Sequence, residues 1–134
     1  MKPIFKPQTE WLPPQDFPDL SDYSEIAIDL ETKDPDLIKM GSGSVVGKGD
    51  VTGIAVAVTG WSGYYPIAHE GGGNMDRKKV LTWFQGVLDT PAIKIFHNAM
   101  YDVCWIQALG LSVSGKIVDT MIAVSYTHLR AHET

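Results

Sequence analysis

The sequence predicts a mixed α/β domain, a β-sheet with helices packed on its faces. Three observations carry this expectation. The first half holds three apolar runs separated by turn signals, the second half alternates helix-period with strand-length patterns, and 134 residues leave room for one domain of ordinary size. An apolar fraction of 44% with 20% charged residues is that of a globular protein rather than a disordered one. The formal net charge of −5 offers no basic footprint for nucleic acid. That exclusion is weak, because a site that gathers carboxylates around cations is itself acidic. Cys104 stands alone, which rules out an internal disulfide and a cysteine metal cluster. The stretch from Met1 to Pro18 lacks the apolar core of a signal peptide, and nothing approaches the ~18 consecutive apolar residues that span a bilayer. A cytoplasmic location without membrane partners is the expectation.

The elements follow in order. Residues 1–22 hold five of the eight prolines, so they read as an extended arm that Trp11 and Phe17 pin across the domain. Glu25 to Leu30 reads as a strand buried on both faces, ended by Glu31-Thr32-Lys33-Asp34-Pro35. Met40 to Asp50 is Gly/Ser-rich and reads as a flexible loop. Gly53 to Val58 is a second strand. Gly60-Trp61-Ser62-Gly63 turns it into a third, whose Pro66 suggests a sheet edge. Asn74 is a candidate N-cap for a helix whose Val80, Leu81, Phe84, Val87 and Leu88 form one apolar stripe. Ile93 to Phe96 is a short strand. Asn98 to Leu109 is a helix closed by Gly110, with Tyr101, Cys104, Trp105 and Ala108 on its apolar face. Ile117 to Asp119 is a last strand, and Thr120 opens a further helix that Asp119 caps from a buried position.

The chemistry-bearing residues are carboxylates. Asp29 and Glu31 lie two apart on a strand, so both point to one face of the sheet. Two such groups repel unless a cation neutralises them, and hard divalent ions accept oxygen ligands of this kind. Alone, Asp-x-Glu also describes a solvated acidic loop. Asp102 adds a third carboxylate at the start of a helix that follows a strand, with Asn98 and Tyr101 at i−4 and i−1 on the same flank. Asn98 by itself reads as a cap, Tyr101 and Cys104 as core, and His69 as structural. Gly41 to Lys48 has no Gly-Lys-Ser/Thr and is not a phosphate loop.

Together these residues resemble a known family. Ile28-Asp29-Leu30-Glu31-Thr32 is similar to the first exonuclease motif of family A DNA polymerases, and His97-Asn98-Ala99-Met100-Tyr101-Asp102 resembles the second. Tyr65-Pro66-Ile67-Ala68-His69 looks like the family's third strand, and Ile117-Val118-Asp119-Thr120-Met121 like its last strand and following helix. The Gly-rich segment after Asp36 looks most like the phage versions.

The resemblance covers about residues 24 to 123. It implies a ribonuclease-H-like fold and a proofreading 3′→5′ exonuclease acting on the single-stranded 3′ end of DNA, with a polymerase domain as partner, in a bacterial cell or phage-infected host. It implies two divalent cations, Mg²⁺ or Mn²⁺: Asp29 bridging both, Glu31 on one, and Asp102 on the other through water. Thr32, Asn98 and Tyr101 would contact the terminal nucleotide. A free-standing or RNA-trimming exonuclease of the same superfamily is the enzymatic alternative, and a non-catalytic DNA-binding relic is the alternative of another class.

One departure stands out. The family's third motif, a Tyr-x-x-x-Asp on a later helix, has no counterpart: no Asp follows Asp119, and Tyr126-x-x-x-Arg130 ends in the wrong charge. Residues 124–134, VSYTHLRAHET, resemble one translated frame of a transposase mosaic end joined to a sequencing adaptor. The expectation is therefore an arm at 1–23, a partial exonuclease domain at 24–123 that is incomplete at its C-terminus, and an artefactual tail. His128 and His132, at i and i+4, then carry no metal site.

Overall fold

The computed structural model describes residues 12–122. Its elements run β1 (Glu25–Lys33), α1 (Leu37–Met40), α2 (Gly43–Val46), β2 (Asp50–Val58), β3 (Trp61–Pro66), α3 (Arg77–Asp89), β4 (Ile93–Phe96), α4 (Ala99–Ala108) and β5 (Ile117–Asp119). One mixed sheet has the order β3-β2-β1-β4-β5. The first three strands form an antiparallel meander, while β4 pairs with β1, and β5 with β4, in parallel. The expected mixed sheet flanked by helices is what is found, an architecture compatible with a ribonuclease-H-like fold. Pro66 sits on edge strand β3, where a residue without an amide proton costs the ladder least. Among the described residues no helix is long and apolar enough to cross a membrane.

β1 is not buried on both faces. Ile26, Ile28 and Leu30 are buried, whereas Ala27, Asp29 and Glu31 alternate with them and are exposed. The apolar residues of β1 pack with Val51, Ile54 and Val56 of β2, with Val80, Phe84, Val87 and Leu88 of α3, and with Trp105 and Ile106 of α4. Each side chain of this kind contributes about 1.5–3 kcal/mol by leaving water. Both long helices bring their apolar residues to one core, and the other side of β1 carries small and acidic residues instead. The continuous look of the EIAIDL run hid an alternation that alanine, counted as apolar, had masked.

Other boundaries also shift. The β2–β3 turn is tighter than expected, with Val58 already paired to Trp61, so Trp61, Ser62 and Gly63 belong to β3. The Gly/Ser-rich segment contains two short helical turns, α1 and α2. Asp76, not Asn74, caps α3, its carboxylate accepting the Lys79 N–H at 3.0 Å. Asn74 instead bridges the His69 backbone, accepting from its N–H and donating to its carbonyl.

The described part of the arm, from residue 12, is held against the domain around Phe17, one of the two aromatics expected to pin it. Phe17 stacks on Tyr65 at 5.6 Å, the Trp83 indole N–H donates to the Pro18 carbonyl at 2.8 Å, and the Tyr65 hydroxyl donates to that of Asp16 at 3.0 Å. Trp11 and the tail from residue 123 lie outside the described residues.

Candidate active site

β1 presents Asp29 and Glu31 on its exposed face, opposite Ala55 and Gly53 of β2. These small partners leave space above the carboxylates. A Cβ at Gly53 would collide with the ring and hydroxyl of Tyr64, so Tyr64 lies across that glycine and flanks Glu31. Burial raises the Tyr64 pKa, and the Glu31 charge raises it further. The Tyr64 hydroxyl also meets the His69 ring, which places His69 beside the site, although the sequence marked it only as structural.

The β1–β2 register shifts between Glu31 and Thr32. A bulge re-aims the side chain that follows it. Thr32 is accordingly half-buried, with its hydroxyl 2.8 Å from that of Tyr101 on α4. Tyr101 donates in turn to Asp34 at 2.9 Å. Two residues expected at the site are thus joined to each other, through a bulge that no local pattern announces.

α4 begins unusually. Asn98 adopts a left-handed backbone, φ 67° and ψ 63°, and its side chain makes no capping hydrogen bond. The cap comes from a distant strand: Asp119 at the end of β5 accepts the N–H groups of Asn98 and Ala99, each at 3.0 Å, and that of Met121 at 2.9 Å. Burial pulls the Asp119 pKa up, but the amides of Ala99, Met121, Asn98 and Ile122 outweigh it and hold the pKa below the ordinary value. Asp119 therefore caps the turn that follows it, as expected, and α4 as well, but it is half-buried rather than the buried cap expected. Asn98 is not the side-chain cap that its position suggested.

The face of α4 also differs from the expected one. Ala99, Asp102, Trp105 and Ile106 are buried, Tyr101 and Cys104 are half-buried, and Ala108 is exposed. A carboxylate replaces an apolar residue on the inward face. Asp102 is 3% exposed. The Leu30 backbone N–H serves its carboxylate, and Oδ2 has no hydrogen-bond partner. Burial, then the charge on Asp29, and less strongly those on Glu31 and Asp119, push its pKa up to about 7. The charges of Asp29 and Glu31, in the middle and C-terminal part of β1, thus reach Asp102. Among the described residues, however, no three His, Cys, Asp or Glu side chains form a ready cage for a metal ion.

No family model matches the chain. The chain is similar to a DNA-directed DNA polymerase of Pseudomonas phage M6, with 40% identity over 81 residues, 58% of this chain. The match spans 12% of that phage protein. The similarity supports a DNA polymerase-related region.

Proposed function

We propose that this chain is part of a 3′→5′ exonuclease region of ribonuclease-H-like fold within a phage-type family A DNA polymerase, which removes terminal nucleotides from the single-stranded 3′ end of DNA. The observation that carries this reading is Asp102, a carboxylate held in the core within reach of the charges of Asp29 and Glu31 and with one oxygen unpartnered. A buried carboxylate with a raised pKa costs stability, and such residues concentrate at functional sites. The similarity to a phage polymerase gives the setting in which such a carboxylate set has a use.

Asp29, Glu31 and Asp102 are all hard oxygen donors, and the orphaned Oδ2 is an atom that a cation would satisfy. The fit rests on this donor chemistry rather than on a preformed cage. Two divalent cations, Mg²⁺ or Mn²⁺, would be held by these three residues and would supply an activated water and charge neutralisation for in-line phosphoryl transfer. The protein's own groups do the rest. Asp29 and Glu31, exposed on the open sheet face, would hold the cations where the scissile phosphate arrives. The Thr32 and Tyr101 hydroxyls, fixed to each other, line the approach of the terminal nucleotide, with Asn98 at the head of α4.

The test measures Mg²⁺-dependent release of nucleotides from a single-stranded DNA oligonucleotide by the protein. Asp29→Ala should abolish release and leave the melting temperature unchanged or higher, since it removes one charge from a repulsive set. Turnover equal to that of the parent refutes the assignment.

A further inference from the structure

The segment between β1 and β2 is tied to the site by one side chain that the exonuclease chemistry does not itself require. The Asp34 carboxylate accepts the Tyr101 hydroxyl at 2.9 Å and the Gly43 N–H with both oxygens at 3.0 Å. Gly43 is buried, and a Cβ there would fall on the Lys48 carbonyl and 2.7 Å from Asp34 Oδ1. Only glycine brings the α2 backbone this close, so the clamp depends on both residues. α2 thereby sits against Asp34, and Asp34 against the helix that carries Asp102.

Hydrogen bookkeeping gives the network a direction. The Tyr101 hydroxyl has one proton and donates it to Asp34. At the 2.8 Å contact between the two hydroxyls, Thr32 must then be the donor. Its proton points at Tyr101, and the free side of its oxygen offers lone pairs only. We infer that Asp34 is a positioning residue of the exonuclease site: it orients the Tyr101 and Thr32 hydroxyls so that Thr32 presents an acceptor to the terminal nucleotide, and it clamps the 36–49 segment beside them. This rests on the reading under Proposed function and adds a residue to it.

Asp34→Asn separates direction from mere contact. The amide oxygen can still accept from Gly43, so the clamp persists. Its NH₂ donates, so the Tyr101 proton is released toward Thr32 and the chain of hydroxyls reverses. Thr32 then turns its own proton toward a donor of the nucleotide, and leaving that hydrogen bond unmade, read as binding, corresponds to about a tenfold rise in KM for single-stranded DNA, with kcat changed much less and melting temperature nearly kept. In the Tyr101→Phe background the same Asp34→Asn change should cost under about twofold, because the hydroxyl through which Asp34 acts is gone. Equal costs in both backgrounds, or no cost in either, overturn the inference. A loss of activity explained entirely by a lowered melting temperature does so too. A parent protein without Mg²⁺-dependent nuclease activity overturns the functional reading and this inference together. An active parent with an additive cycle removes only the role of Asp34.

Discussion

The two long helices of this domain obey different rules. α3 is explained by its own sequence: Asp76 caps it, and Val80, Phe84, Val87 and Leu88 form a stripe that meets the core. α4 is explained only by its surroundings. Its cap comes from Asp119 in β5, its first residue follows a left-handed Asn98, and its buried face includes a carboxylate. Among the described residues, the two buried side-chain polar atoms without a hydrogen-bond partner, Asp102 Oδ2 and Trp105 Nε1, both belong to α4. Places where local preference and tertiary role disagree are where proteins put function. α3 brings only apolar groups to the core, whereas α4 brings a carboxylate there, where burial disfavours its charged form.

Mutations in the two helices should therefore differ in sign. Phe84 is fully buried, and Phe84→Ala should cost about 3–5 kcal/mol, from lost transfer energy and the cavity left behind. Denaturant unfolding measures it, and a cost under about 1 kcal/mol would place α3 outside the core. Asp102→Asn should do the opposite in metal-free buffer. Its folded pKa near 7 lies above the ordinary 3.8, so the folded state binds the proton more tightly than the unfolded one. The stability that this gives is complete below about pH 4 and is lost as pH rises through about 7. At pH 8 the variant should then be more stable than the parent by roughly 1–2 kcal/mol, after discounting for solvent screening of the exposed Asp29 and Glu31. The parent's downward slope between pH 4 and 7 should flatten. Identical slopes for variant and parent would show that Asp102 is not the titrating group.

The caps sharpen the contrast at smaller scale. Asp119→Ala removes the acceptor for the Asn98, Ala99 and Met121 amides, and should lower the melting temperature more than Asp76→Ala, which frees one. Asp76→Ala should cost about 1 kcal/mol, as is usual for an N-cap. The Asp119 contribution has the opposite pH sign to that of Asp102. Its lowered pKa gives stability that is present above the unfolded value and lost as pH falls through the folded one. Thermal melts from pH 3 to 8 read both. If Asp76→Ala proves the more damaging of the two, the long-range cap is not what holds α4.

What the sequence determined by itself is what short-range periodicity and chain stiffness encode. These are the three-strand meander with proline at its edge, the amphipathic α3, and the placement of Asp29 and Glu31 on one face of β1, because a strand alternates with period two. Only the tertiary structure decided the rest, since each remaining feature joins residues far apart in sequence. The open face of β1 depends on which side the helices cover. The cap of α4 lies 20 residues downstream. The Thr32–Tyr101–Asp34 network needs a bulge whose register is set by β2. The raised pKa of Asp102 comes from burial beside charges contributed by other strands, so no property of its own helix could reveal it.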